Sequence, residues 1–149
     1  MRRALRLDRA GEWPQEKGSG TVTLGFDDRY RRRMRLSTDM GEAFLLDLPQ
    51  TRVLEDGDGL ALDDGTWLAV RAAPEPVLEV RAASSEQLAR LAWHIGNRHL
   101  AAQMLADRIL IRADAVIEDM LRGLGADLRR IDAPFTPERG AYDDHGHHH

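Results

Sequence analysis

Residues 77–131 read VLEVRAASSEQLARLAWHIGNRHLAAQMLADRILIRADAVIEDMLRGLGADLRRI, and their periodicity decides the fold. The run at 77–81 is short, apolar and alternating, which predicts a strand. Between Ser84 and Asn97 the apolar residues Leu88, Leu91, Ala92 and Ile95 fall at i, i+3, i+4 and i+7, one face of a helix. Ser84 with Gln87 three residues on is a capping-box pair, and Gly96-Asn97 sits where a helix would stop. Residues 102–105 and 108–112 read as two strands about a turn at Ala106-Asp107. Asp114 can cap a second helix, whose stripe is Ile117, Met120, Leu121 and Leu124, and Gly125 can end it. Residues 128–131 read as a last strand. The resulting order, βαββαβ, is the ferredoxin-like arrangement. That topology serves many functions, so the site must decide between them.

The pattern changes on the N-terminal side of this stretch. Ala72-Ala73-Pro74-Glu75-Pro76 reads as a linker, because proline biases the residue before it toward extended backbone. Before it lie β-type runs at 21–24, 42–46, 60–62 and 67–70. Asp63-Asp64-Gly65 joins the last two as a hairpin, and Asp56-Gly57 with Asp58-Gly59 marks another turn. No helical stripe is sustained there. The expectation is an α+β chain: a small all-β domain over 1–73, a ferredoxin-like domain over 74–142, and a disordered His-rich tail over 143–149.

Composition excludes whole classes of function. The chain has 149 residues, 42% apolar and 31% charged, and mean hydropathy −0.47, a globular balance. Net charge is −4, which argues against a cationic nucleic-acid binder. The absence of cysteine removes disulfides, thiolate metal sites, iron–sulfur clusters and cysteine catalysis. No apolar run approaches the ~20 residues that span a bilayer, and residues 1–13 carry Asp8 and lack a signal core. The expected compartment is the cytoplasm, with no membrane partner.

No catalytic constellation stands out. Gly18-Ser19-Gly20 lacks the Lys-Ser/Thr of a phosphate loop. The pairs Asp27-Asp28, Asp63-Asp64 and Glu118-Asp119 read as solvated faces. Arg29, Arg31, Arg32, Arg33 and Arg35 form a cationic run that suits an acidic partner or RNA. An RNA reading of a ferredoxin-like sheet needs aromatics on its central strands, and 77–81 and 108–112 contain none. A solvated strand or partner-docking edge is favoured.

Histidine placement is more telling. His94 and His99 lie in Trp93-His94-Ile95-Gly96-Asn97-Arg98-His99, five apart, which is not the i, i+4 spacing of a helical metal clamp. His94 falls on the polar flank near Arg90 and Gln87. The last seven residues, Asp143-Asp144-His145-Gly146-His147-His148-His149, hold four imidazoles and two carboxylates. Imidazole suits nickel, copper and zinc. An appended purification tag has a similar composition, although such a tag is usually an unbroken run.

These residues, with Ile109-Leu110-Ile111-Arg112-Ala113-Asp114 and Pro134-Phe135-Thr136-Pro137-Glu138-Arg139-Gly140-Ala141-Tyr142, resemble the UreE family of urease accessory proteins over most of the chain. The resemblance implies a nickel metallochaperone and not an enzyme. It implies an N-terminal β domain that takes a peptide or protein partner, and a homodimer formed through the C-terminal metal domain. It also implies delivery of Ni(II) to apo-urease alongside the urease maturation GTPase, without nucleic acid or membrane. His99 would be the ligand at the dimer interface, and His145, His147, His148 and His149 would add further ligands. Zn(II) or Cu(II) would bind the same site. Some members carry a second histidine pair at the start of the second helix, where this chain has Ala113 and Ala115. Two other readings stay open: an interaction or co-chaperone module with an incidental metal-binding tail, and a metal storage protein.

Overall fold

The computed structural model describes residues 1–138, so the expected disorder of 143–149 and the four tail histidines lie outside the described residues. The chain divides into two compact units, Met1–Ala73 and the part from Pro74 onward.

The first unit is one curled sheet. Its elements are β1 (Arg2–Asp8), β2 (Gly18–Leu24), α1 (Phe26–Arg29), β3 (Tyr30–Ser37), β4 (Ala43–Val53), β5 (Gly59–Leu62) and β6 (Trp67–Ala72). The strand order is β2-β6-β5-β1-β4-β3. The pairs β1–β4 and β2–β6 are parallel, and the others are antiparallel. Alternate residues point inward and form the core, including Val22, Leu36, Phe44, Leu46, Leu60, Leu68 and Val70. Asp63-Asp64-Gly65 makes the expected hairpin, with Gly65 in the left-handed region at φ 86°. The sheet curls because the turn after β3 reaches β2. Asp39 N donates to Thr21 O at 2.9 Å, and its carboxylate accepts from Thr23 N at 3.0 Å and from both threonine hydroxyls.

Three features differ from the expectation. Strand β1 escaped the periodicity because its register shifts between Ala4 and Arg6, so the inward residues Ala4 and Leu7 are three apart, not two. One turn of helix, α1, interrupts the all-β reading. Its last residue, Arg29, is fully buried and leaves the cationic run. Arg29 donates to Leu24 O at 3.1 Å and Leu54 O at 3.0 Å, and its guanidinium lies 5.6 Å from the Phe26 ring. The exposed run therefore begins at Arg31, on the edge strand β3.

Asp58 holds the turn before β5. It is 1% exposed and accepts from Arg9 at 2.7 Å, Glu55 N at 2.8 Å and Ala10 N at 3.1 Å. Removing that carboxylate strands three donors.

The second unit contains β7 (Glu75–Arg81), α2 (Ser85–Asn97), β8 (Ala102–Met104), β9 (Ile109–Arg112), α3 (Ala115–Gly123) and β10 (Asp127–Ala133). Its sheet is antiparallel in the order β10-β7-β9-β8, the ferredoxin-like arrangement. The α2 stripe buries as read, with Leu91 and Ile95 packed on Leu78, Val80, Ile109 and Ile111, and in α3 Ile117, Met120 and Leu121 join the same core. Leu124, the fourth residue of the expected α3 stripe, is instead the C-cap and is 39% exposed. The Ser84 hydroxyl accepts from Gln87 N at 3.1 Å, while the Gln87 side chain returns to Ala83 N at 3.0 Å. Asp114 caps α3 by accepting from Val116 N at 2.9 Å and Ile117 N at 3.1 Å. Helix α2 ends at Asn97, where Gly96-Asn97 predicted its stop, with Arg98 as the C-cap. Among the described residues no helix is long and apolar enough to cross a membrane.

Glu118 ties α3 to β10, accepting from Arg130 at 2.7 and 3.0 Å and from Arg122 at 3.1 Å. The Arg130 hydrogen bonds hold its carboxyl below the usual range.

Two outcomes follow for stability. Asp58→Ala should lower unfolding free energy by about 2–4 kcal/mol in urea titration at neutral pH. A carboxylate whose pKa is depressed in the fold stabilises above its unfolded pKa and loses that contribution as pH falls through the folded one. Glu118→Gln should therefore be less stable than the parent at neutral pH, and should lose less stability on acidification to about pH 3.

Candidate metal centre

The end of α2 is built around His99. Arg98 is the C-cap, His99 N donates to Gly96 O at 3.0 Å, and Leu100 N reaches back to Ile95 O at 3.4 Å. This is a Schellman closure, with Leu100 packed on the same core as Ile95. It forces the residue between them into the left-handed region, and His99 sits there at φ 57°. His99 is the single non-glycine residue with positive φ among the described residues. Glycine or asparagine normally fills that position, and histidine there costs about 1 kcal/mol relative to glycine. No side-chain bond offsets the cost. The imidazole is exposed and has no hydrogen-bond or ion-pair partner among the described residues. Strain held at an exposed, unpartnered, metal-competent side chain points to use of that side chain.

His94 is placed differently. It is half-buried, with its ring edge-on to Trp93 at 5.1 Å. Trp93 itself is 65% exposed, the largest apolar side chain that α2 leaves in solvent. Among the described residues no three His, Asp or Glu side chains come together as a metal cluster. The described residues of one copy therefore hold no ready-made three-ligand set.

The C-terminal run completes the local geometry. After β10, Pro134, Phe135, Thr136, Pro137 and Glu138 turn back toward the β8–β9 side of the sheet. Phe135 is fully buried, with the Arg112 guanidinium 5.8 Å from its ring centre. Thr136 N donates to the Gln103 side chain at 3.0 Å, and Glu138 N donates to Ala102 O at 2.7 Å. Ala102 is three residues after His99, so the two α-carbons are at most about 11 Å apart. The chain thus leaves the described region close to His99. Sequence reading saw the Pro-Phe-x-Pro-Glu run as a motif but gave it no structural role. The available signal was an aromatic residue held between two prolines.

Comparison with known proteins gives the family of the chain. A family model described as UreE urease accessory protein, N-terminal domain, matches residues 3–73, and the C-terminal domain of the same family matches residues 75–149. The chain belongs to the UreE urease accessory protein family. Its members are accessory proteins in urease maturation, not enzymes. A UreE from Chelativorans sp. (strain BNC1) is 55% identical over 89% of this chain and 84% of its own length. The UreE of Ruegeria pomeroyi is 49% identical over 96% of this chain and 95% of its own. The UreE of Bradyrhizobium sp. (strain ORS 278) is 48% identical over the whole chain and 70% of its own.

The strained position separates stability from use. His99→Gly should leave melting temperature unchanged or raise it by a few degrees, since about 1 kcal/mol of backbone strain is relieved. His99→Ala should fall below His99→Gly in the same calorimetric scan.

Proposed function

We propose that this UreE chain is a nickel carrier for urease assembly, and that His99 is the residue around which the cargo ion is held. The carrying observation is the exposed imidazole of His99, whose backbone is held in a strained position, with Glu138 N bonded to Ala102 O three residues further on. A single imidazole is a poor site. A two-fold axis doubles it without new sequence, because an isologous interface repeats each residue. The exposed Trp93, six residues earlier on the same helix, supplies apolar area for that contact.

His145 lies seven residues beyond Glu138, with His147, His148 and His149 after it. Seven residues reach up to about 25 Å, more than twice the distance from Ala102 to His99. Tail imidazoles from the two copies then fill the remaining positions. An open shell with exchangeable ligands suits a protein that must release its ion, unlike the closed four-ligand cage of a structural site. Residues 74–142 act as the metal-binding and dimerisation domain, and residues 1–73 take a protein partner.

The recipient is apo-urease, approached in the cytoplasm together with the maturation GTPase. Zn(II) and Cu(II) bind the same imidazoles, and intrinsic affinity favours copper, so supply and partners select nickel.

Calorimetric titration with Ni(II) at about pH 7.5, with the oligomer mass measured alongside, tests this on the full chain, a chain ending at Ala141, and His99→Ala. The expected result is about one tight ion per dimer in the full chain, lost in His99→Ala. Affinity should fall sharply on moving to about pH 5, because protons compete for imidazole. Binding confined to the tail and indifferent to His99 would overturn the carrier reading in favour of an interaction module.

A further inference from the structure

Strand β3 is an edge of the first sheet. Beyond a register shift between Arg31 and Arg33, it pairs regularly with β4 from Arg33 to Ser37. Met34 packs against the core and Leu36 is buried, so alternation places Arg33 and Arg35 on the outer face, where both are exposed. Neither has a hydrogen-bond or ion-pair partner among the described residues. Arg31 and Arg32 donate to main-chain carbonyls, Asp27 O at 3.1 Å and Leu48 O at 3.3 Å. The carboxylate opposite Arg33, Asp47, is bonded to Arg3. Elsewhere several arginines are spent on carboxylates, with Arg2, Arg9, Arg81, Arg108, Arg122 and Arg130 all in ion pairs, while Arg52 and Arg98 donate to main-chain carbonyls. The edge thus combines main-chain groups without a neighbouring strand and guanidinium groups that form no hydrogen bond or ion pair, although the charge of Arg33 acts on Asp47 across the sheet, where Arg3 holds the carboxylate directly.

We propose that the β3 edge takes an extended acidic segment of a partner protein as an added strand, with carboxylates at alternate positions beside Arg33 and Arg35. The residues between them lie on the Met34 side of the sheet and are apolar. The inference deepens the partner-binding half of the reading above and makes no use of the metal half. Main-chain pairing supplies affinity in such strand addition, and alternate side chains supply specificity. RNA carries the right charge but offers no strand to pair. The ring nearest the edge, Tyr30, is already stacked on Phe26 at 6.2 Å. A charged edge also repels other copies of itself, which keeps the strand free for an oppositely charged guest.

The probe is a fluorescein-labelled, end-blocked heptapeptide alternating Glu with Val, titrated against the full metal-free chain and followed by anisotropy. Saturable, salt-weakened binding is expected. It should weaken at least about tenfold on the Arg33→Glu, Arg35→Glu double variant, and less on the corresponding Gln variant. Both side chains are exposed and unpartnered, so circular dichroism and melting should match the parent. A Lys–Val peptide, and a peptide of the same composition with its Glu residues grouped, should not bind. Equal binding of grouped and alternating acidic peptides would overturn the proposal, because charge alone would then suffice. So would binding indifferent to Arg33 and Arg35, or tighter binding of a single-stranded RNA that displaces the peptide. Because no metal is present, failure here leaves the nickel titration standing, and failure there leaves this one standing.

Discussion

The closure of α2 onto its own core is the constraint on which the candidate metal centre depends. Leu100 must reach the apolar cluster that contains Ile95, and its N–H must reach the Ile95 carbonyl. Those two demands reverse the chain within two residues. The residue between them adopts a left-handed backbone whatever its side chain. Placing histidine there sacrifices a little stability and gains a defined exit direction for one imidazole. Had Gly96 or Asn97 closed the helix, His99 would lie on an ordinary loop with many orientations. On the proposed reading, fixing the direction in which the side chain leaves the backbone favours metal binding, because each degree of freedom that must be ordered on binding subtracts from affinity.

The second device is the C-terminal return. Phe135 is buried, and two main-chain N–H groups, of Thr136 and Glu138, bond to Gln103 and Ala102 at the β8 edge. Anchoring a short chain near a site converts its later groups into ligands at high effective concentration, a gain that falls as the free linker lengthens. On the proposed reading, His99 sets the position and the tail imidazoles close around it. Such a set reconciles binding with release, because ligands can exchange one at a time and no step requires all of them to leave together.

Most of the fold was legible because local signals agreed with the tertiary structure. The capped stripes of α2 and α3, the Asp63-Asp64-Gly65 hairpin and the βαββαβ order all formed as the residues indicate. What escaped was set by non-local geometry. The register shift in β1 spaces Ala4 and Leu7 like a helix, so no alternation shows. The parallel pairings β1–β4 and β2–β6 leave no trace in either strand's own sequence. Arg29 reads as one more surface cation until the carbonyls of Leu24 and Leu54 converge on it. At the candidate site, His99 was singled out through the family resemblance. Its conformation was not, since that depends on where Leu100 docks.

On the two proposals taken together, two kinds of recognition are kept on separate units. The guanidinium groups of β3 stay charged at any physiological pH, and their attraction is set by salt. Imidazoles hold a metal only when neutral, and their grip is set by protons. A drop in pH loosens cargo while leaving an arginine-based contact in place, and a rise in ionic strength does the reverse. A carrier built this way can stay docked on an acidic partner while its ion departs. Lysine at the edge would carry the charge but not the planar fork that meets a carboxylate with two parallel bonds. The arginines of β3, usually read as a device against aggregation, are on this argument the feature that lets docking and discharge be controlled independently.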